Sequence, residues 1–168
     1  MPLSRRQLIT TAPALLALSP HLARAATPRE ITWDDLIPPG VPYSEIIGEG
    51  AIDMVNDTWR PVFDANATKL NDALDGAHIR MPGYTIPLDV SSAGVTRFIL
   101  VPYVGACIHV PPPPANQLVI VDTATPWPGN DLWDAVWVEG QMHHQIQSTE
   151  LADIGYALTA SHIEIYEW

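Results

Sequence analysis

The second half of the chain is a series of short segments in which apolar and polar residues alternate, and this pattern constrains the fold more than any other feature. Five such segments follow Gly76, and residues typical of turns separate them. We predict strands at residues 78–88, 96–103, 117–122, 135–142 and 156–166. In the fourth of these, Val136 and Val138 share one face and Trp137 lies on the other. The sequence therefore predicts a mainly β fold.

Five antiparallel strands in so short a segment close most readily into a small barrel of the oligonucleotide/oligosaccharide-binding (OB) type. Closure removes most of the exposed strand edges, which are otherwise sites of unwanted pairing. The first predicted strand contains Pro82, Gly83 and Pro87, and these residues favour a bulge or a sharp bend of the kind that closure requires. A two-layer sandwich is the competing topology, because the number of strands does not distinguish the two.

Two helical segments are predicted before the strands. The first lies within residues 44–56. The second covers residues 61–74, where Pro61 suits a first helical turn and Gly76 follows as a stop signal. The complete prediction is thus a five-stranded antiparallel OB-like barrel with N-terminal helices.

The first 25 residues have the organisation of an export signal. The paired arginines Arg5 and Arg6 precede an apolar stretch, and a small-residue cleavage site ends at Ala25. The arginine pair favours the twin-arginine route, with the general secretory route as the alternative. The apolar stretch is shorter than the roughly 20 residues that a membrane-spanning helix needs. We therefore expect cleavage, and a periplasmic or secreted protein that does not span the membrane.

Cleavage would leave an extended, proline-rich lead-in at residues 26–42 and a single OB-like domain at residues 43–168 with a helical N-terminal part. It would also remove three of the eight Lys and Arg side chains, and so change the formal charge from −11 to −14. Binding to phosphate backbones depends on clustered Lys and Arg. We therefore expect no binding to nucleic acid.

A single cysteine and a nearby histidine lie between the second and third predicted strands. In an extended chain, Cys107 and His109 point to the same face about 6.6 Å apart. Thiolate and imidazole are ligands that zinc accepts. The candidates for a third ligand are His143, His144 and His162, and His143 is the one we select. The alternatives are a buried, inert thiol and a thiol enzyme in which His109 is the base for Cys107.

Four consecutive prolines follow this pair and predict a stiff polyproline II rod. Such a rod either connects two strands rigidly or forms a ridge on which a partner docks. We expect the two amide side chains after it to hydrogen-bond to the turn. The predicted ligand- or partner-binding residues are Tyr103, Pro111, Pro112, Pro113, Pro114, Asn116 and Gln117.

Three motifs carry a resemblance to a known family: GYTIPLD at residues 83–89, VPYVGACIHVPPPPANQ at residues 101–117 and VWVEG at residues 136–140. Together they resemble the exported bacterial family named domain of unknown function 3299. The resemblance implies an OB-like barrel and a periplasmic or lipoprotein location, and the lack of a cysteine after the signal favours the soluble form. It also implies a link to zinc, since some members belong to gene clusters with metal-responsive transport systems.

These observations together predict an exported, non-catalytic binding or accessory protein. Its expected role is divalent metal handling beside a periplasmic or membrane transport complex, with zinc as the candidate cofactor. A thiol enzyme that uses Cys107 and His109 is one alternative. A purely structural protein-interaction module is the other.

Overall fold

The computed structural model describes residues 27–55, 58–106, 112–129, 131–149 and 151–167. The strands in these ranges are β1 (Arg29–Glu30), β2 (Ile46–Asp53), β3 (Thr58–Phe63), β4 (His78–Ser91), β5 (Gly94–Val101), β6 (Val119–Trp127), β7 (Ala135–Ser148) and β8 (Asp153–Ile165). Short 3-10 helices lie at Trp33–Leu36, Asp72–Leu74 and Ala115–Gln117. Among the described residues, no helix has the length and apolar character needed to cross a membrane.

Five of the strands form a closed barrel, in the order β4, β5, β6, β8 and β7. Pairing of β7 with β4 completes the circle. Neighbouring strands are antiparallel except for β6 and β8, which run parallel. Strand β1 adds to β4 as a parallel extra strand. The OB-like barrel predicted from the sequence is therefore confirmed, with one parallel pair.

Strand β4 closes the barrel because it is long enough to pair with two neighbours in succession. Residues 78–84 pair with β7 and residues 84–91 pair with β5. The register shifts after Pro87, which marks the expected irregularity. Gly83 lies near the changeover, where a Cβ atom would be only 2.6 Å from the side chain of Leu100. A glycine at this point allows the strand to pack closely against β5.

Apolar residues at alternate positions fill the barrel interior. Phe98 and Leu100 of β5 and Val119 and Val121 of β6 are all fully buried there. Leu36, from the lead-in, is buried in the same cluster. Burial of such side chains stabilises the fold by about 1.5–3 kcal/mol each. The lead-in is therefore part of the core.

A second apolar layer covers the outer face of β5 and β6. Ile99 and Ile120 alternate with the inward-facing residues and are also buried. Ala106 and Ala152, which come from the loops after β5 and before β8, belong to the same layer. In OB barrels the face of the second and third strands is a common binding surface for oligonucleotides and oligosaccharides. Here the protein's own loops cover that face.

The two predicted N-terminal helices are wrong. Residues 44–56 contain β2, and residues 61–74 contain the end of β3 followed by turns and a single 3-10 turn. Strands β2 and β3 pair with each other, so that the backbone bonds are made between strands. Gly48 and Gly50 each disfavour a helix by about 1 kcal/mol, and the Ile, Thr and Trp residues of these segments favour strands.

We name residues 46–63 the arm; its described parts are residues 46–55 and 58–63. Its two strands pair with no other described strand. Gly50 has a φ of +64°, and a Cβ atom there would lie 1.9 Å from the carbonyl oxygen of Arg60. An isolated two-stranded hairpin is at best marginally stable in water. The arm is therefore a separate structural unit attached to the barrel.

Candidate binding surface

The predicted zinc ligands Cys107 and His109 lie outside the described residues, and so does Pro111. The residues on either side of that segment, Ala106 and Pro112, are both buried. Among the described residues, no three His, Cys, Asp or Glu side chains are placed so that they could hold a metal ion. The zinc site therefore stays a prediction.

His143 lies on β7 and has a carboxylate as its neighbour. Its Nδ1 atom is 3.7 Å from Asp75 Oδ1, and the Nδ1 atom of His144 is 3.7 Å from Asp72 Oδ1. The backbone N–H of His144 also donates to Asp75, at 3.1 Å. This hydrogen bond, followed by the nearby imidazoles, lowers the pKa of Asp75. The two histidines thus pair with acidic residues at the 3-10 turn before β4.

The prolines that the structure describes, at residues 112–114, are buried. Gln117 follows them and donates from Nε2 to the carbonyl oxygen of Trp33, at 3.0 Å. This bond ties the proline segment to the lead-in. Burial favours the connecting role of the prolines over the docking role.

Asn116 fastens the same segment to the loop after the arm. Its Nδ2 atom donates to the carbonyl oxygens of Asn66 and Lys69, at 2.9 and 3.1 Å. Its backbone N–H donates to the carbonyl oxygen of Ala67, at 2.9 Å. Asn116 is fully buried, so these bonds replace the water that its Nδ2 and backbone N–H groups would otherwise bind. Its observed role is to hold two loops together.

Tyr103 is the predicted partner-binding residue that the structure exposes. It lies in the loop after β5, close to Tyr43 at the base of the arm. Burial, together with the nearby phenol of Tyr103, raises the pKa of Tyr43. The adjacent Pro102 lines a groove of about 190 Å³ with Trp33 and Tyr84. Aromatic side chains therefore lie both near the base of the arm, at Tyr43 and Tyr103, and in the groove beside Pro102.

The arm itself carries an exposed apolar surface that the sequence reasoning missed. Ile52, Met54 and Val55 are 59%, 86% and 91% exposed. The exposed large apolar side chains of the arm are Ile46, Ile47, Ile52, Met54, Val55 and Val62. Exposed apolar surface that is contiguous marks interaction sites in soluble proteins. The feature of the sequence that could have indicated this surface is the high number of Ile and Val residues between the acidic residues and glycines of the arm.

Acidic residues accompany the apolar surface of the arm. Glu45, Glu49 and Asp53 are exposed, whereas the single basic side chain, Arg60, is half-buried and donates to the carbonyl oxygen of Thr149. Each strand of the arm pairs on one side only among the described residues. A strand with one free edge offers unpaired N–H and C=O groups to another chain. The arm thus presents apolar side chains, negative charge and a free backbone edge together.

The base of the arm is fixed by hydrogen bonds around Asp64. The hydroxyl of Ser44 donates to Asp64 Oδ1 at 2.8 Å, and the backbone N–H of Asn66 donates to the same atom at 2.9 Å. The backbone N–H of Asp64 donates to the carbonyl oxygen of Glu45, at 3.0 Å. These bonds, that of Ser44 first, lower the pKa of Asp64. The arm is therefore anchored at its base.

The sequence was compared with known families and solved structures. The model of the family described as Protein of unknown function (DUF3299) matches residues 33–165. The chain belongs to the DUF3299 family. It is similar to the crystal structure of a DUF3299 family protein from Pseudomonas aeruginosa PAO1, with 39% sequence identity and a TM-score of 0.66. That similarity covers 84% of this chain and 98% of the other. None of the curated proteins matches the chain.

The DUF3299 range begins at the first 3-10 turn and ends with the last barrel strand. Both the barrel and the arm fall inside it. The arm therefore lies within the matched range and not at one of its ends.

Proposed function

We propose that this DUF3299 protein is a non-catalytic accessory protein of the cell envelope, and that its arm docks on a partner protein. The exposed apolar surface of the arm carries the proposal. Ile52, Met54 and Val55 cover no part of the barrel core. A partner that covers them would gain about 25 cal/mol for each Å² of apolar surface removed from water.

The covered outer face of β5 and β6 supports a protein partner over an oligonucleotide. Ile99 and Ile120 lie beneath the protein's own loops, so the usual OB surface is closed. The formal charge of −11 also disfavours phosphate backbones. Both observations favour the arm over the barrel face as the binding surface.

The chemistry of the arm defines the kind of partner. A free strand edge favours the addition of an extended segment of the partner, with backbone hydrogen bonds along the edge. The acidic residues Glu45, Glu49 and Asp53 favour Lys or Arg on that segment. A second copy of this chain fits less well, because antiparallel pairing of β2 with itself about Glu49 would bring acidic side chains of the two copies together.

The location in the cell envelope is supported by the export signal that the sequence predicts in residues 1–25. The resemblance of the motifs supports a transport complex as the partner. In this proposal the barrel is a rigid support and the arm is the contact. The aromatic surface at Tyr43 and Tyr103 extends the contact beyond the base of the arm.

Site-specific photo-crosslinking in cells of the native host tests the docking surface. A photoreactive residue at Ile52 is compared with one at Val90, which is equally exposed, 57% against 59%, but lies on the barrel strand β4. We expect a discrete crosslinked product of one size from Ile52 and none of that size from Val90. Equal products from both positions, or none from Ile52, would overturn the proposal. A product of twice the chain mass would identify a second copy instead.

Charge reversal on the arm tests the chemistry of the partner. In the background that carries the photoreactive residue at Ile52, the change Glu49→Lys should abolish the product. Glu167→Lys, an exposed change at the opposite end of the chain, should leave it unchanged. A product that survives Glu49→Lys would exclude a basic partner segment.

Zinc binding is the second candidate. Cys107 and His109 carry the thiolate and imidazole that zinc accepts, and the described residues on either side of their segment, Ala106 and Pro112, are both buried. His143 lies opposite Ala157 in the β7–β8 ladder, and Ala157 packs against the outer layer that includes Ala106. Three ligands would be completed by water in a zinc site.

Zinc titration of the purified mature protein by calorimetry tests this candidate. We expect Cys107→Ser to weaken zinc binding at least tenfold and His78→Ala, a change at a histidine on β4 that pairs with Glu139, to have no effect. Equal affinity in the wild type and Cys107→Ser would exclude Cys107 as a ligand. A reaction midpoint of the thiol near pH 8.5 would argue against the thiol enzyme.

A further inference from the structure

A cavity of about 210 Å³ lies between the base of the arm and the barrel. Strand β3, the loop after it, the proline segment and the start of β8 form its walls. Pro61, Phe63 and Pro112 give it an apolar wall. It is separate from the exposed surface of the arm and has no part in the docking proposed above.

Charged groups of both signs line the same cavity. Arg60 is the cation, and Asp64 and Asp153 are the anions. Every other described arginine has a carboxylate partner: Arg29 pairs with Asp35, Arg80 with Glu30 and Glu164, and Arg97 with Asp122. Arg60 forms no ion pair with a described residue, and its hydrogen bond goes to the carbonyl oxygen of Thr149. In a chain with so few cations, a half-buried arginine with no carboxylate partner among the described residues stands out.

The guanidinium of Arg60 is suited to a carboxylate ligand. It has five N–H donors in a planar fork, and the bond to the carbonyl oxygen of Thr149 uses one of them. Two parallel bonds to a carboxylate are the strongest use of the remaining donors. A ligand with negative charge alone would be repelled by Asp64 and Asp153. A ligand that also carries an ammonium group would be attracted to them.

The size of the cavity restricts the ligand further. Drug-sized ligands occupy pockets of about 300–1,000 Å³, so this cavity is too small for a nucleotide or an oligosaccharide. Its volume corresponds to about seven water molecules. The apolar wall formed by Pro61, Phe63 and Pro112 suits a small aliphatic side chain. The combined requirements are a carboxylate, an ammonium and a short apolar group.

We propose that this cavity binds a small apolar α-amino acid in its zwitterionic form. The carboxylate binds the guanidinium of Arg60, the ammonium lies toward Asp64 and Asp153, and the side chain packs on the proline wall. The ligand would thus contact the arm, through Arg60, and the barrel, through Asp153, at the same time.

Calorimetric titration of the purified protein with L-valine tests the proposal. Two analogues separate the charges: N-acetyl-L-valine lacks the ammonium, and L-valine methyl ester lacks the carboxylate. We expect valine to bind and both analogues to bind at least tenfold more weakly. Equal binding of all three, or no heat from valine, alanine or proline at millimolar concentration, would overturn the proposal. Isobutyrate binding as tightly as valine would also overturn it, since isobutyrate has no ammonium.

Variants assign the contacts. Arg60→Gln should weaken valine binding at least tenfold, whereas Arg97→Gln, an arginine on the barrel surface, should not change it. Asp153→Asn tests the ammonium contact at an exposed position, where the change is compatible with folding. Far-ultraviolet circular dichroism checks that each variant is folded. Unchanged affinity in both folded variants, Arg60→Gln and Asp153→Asn, would exclude the proposed site.

Discussion

The barrel and the arm are built from the same kinds of residue and differ in what covers them. In the barrel, Phe98 faces the interior, and its neighbour Ile99 lies under loops, so both are buried. In the arm, Ile47 and Ile52 belong to an equally apolar strand and are exposed. Each barrel strand has partners on two sides, whereas each arm strand has one. Alternation of apolar residues therefore defines a strand but not whether it is covered.

The largest expected difference is in the cost of truncating an apolar side chain. Phe98→Ala removes a fully buried ring and should lower the free energy of unfolding by about 3–5 kcal/mol. Ile52→Ala removes an exposed side chain of the arm and should change it by less than about 0.5 kcal/mol. Urea denaturation followed by tryptophan fluorescence measures both. A loss above about 1 kcal/mol for Ile52→Ala would show that the arm is packed on the barrel in solution.

Glycine-to-alanine changes test the same difference between barrel and arm at the backbone. At Gly140, which lies within β7 and pairs with Ala160 of β8, a Cβ atom would lie 2.2 Å from the carbonyl oxygen of Thr159. Gly140→Ala should therefore lower the global free energy of unfolding by about 2–4 kcal/mol. At Gly50 the corresponding contact with Arg60 is equally close, but it lies in the arm. Gly50→Ala should therefore speed amide exchange in the arm and leave the urea midpoint unchanged. A shifted midpoint for Gly50→Ala would mean that the arm unfolds together with the barrel.

The hydroxyl of Tyr156 fastens the lead-in to the barrel. It donates to the carbonyl oxygen of Leu36 and accepts from the backbone N–H of Asn71, both at 2.6 Å. Tyr156→Phe leaves the carbonyl oxygen of Leu36 and the backbone N–H of Asn71 without this partner, and it should lower the free energy of unfolding by about 1–3 kcal/mol. Tyr43→Phe, a change at a half-exposed tyrosine near the base of the arm, should have little effect. Equal urea midpoints for the two variants would contradict the fastening role.

Alkaline pH gives an independent measure of the same contact. Burial raises the pKa of Tyr156 to about 12, above the value of about 10 for an unfolded chain. Because the pKa of Tyr156 is higher in the folded state, the stability that its protonated hydroxyl supplies is complete below pH 10 and is lost as the pH rises through 12. Tyr156→Phe should show a smaller loss of stability between pH 10 and 12 than the wild type. An identical loss would contradict this assignment.

Acid pH should give the smallest difference between the two regions. Hydrogen bonds lower the pKa of Asp64, at the base of the arm, and of Asp75, beside β7. The stability that they supply is present above the unfolded pKa of about 3.9 and is lost as the pH falls through the folded value. Asp75→Asn should reduce the acid sensitivity of the urea midpoint. Asp64→Asn should instead reduce the acid-induced rise in amide exchange within the arm. A change of the urea midpoint for Asp64→Asn, or of arm amide exchange for Asp75→Asn, would contradict the assignment of each carboxylate to its region.

The barrel was predictable because its strands follow local rules. Alternation identified the five segments, and Pro82, Gly83 and Pro87 correctly indicated the irregular strand that closes the circle. Val136 and Val138 are buried, as their shared face required. Strand ends were less predictable: β6 continues to Trp127, although Pro126 and Pro128 favour a loop. There the pairing of Trp127 with Val95 outweighs the local preference.

The arm was not predictable because its sequence imitates a helix. Pro61 suits a helical N-terminus, and Leu70 and Leu74 continue an apolar stripe at helical spacing. Cross-strand pairing of Ile46 with Phe63 outweighs these signals, and the sequence does not show that pairing. For the binding residues, local chemistry identified Asn116 and Gln117 as turn-binding amides. It did not reveal that their partners are the arm loop and the lead-in, which are distant in sequence.

The covered outer face of β5 and β6 has a practical consequence for work with shortened versions of this protein. Two described parts of the loop between these strands, Ala106 and residues 112–118, are buried, although the length of the loop suggests a dispensable connection. A version without it would present a strip of Ile99, Val101 and Ile120 to water and would aggregate. Shortened proteins should therefore keep that loop intact.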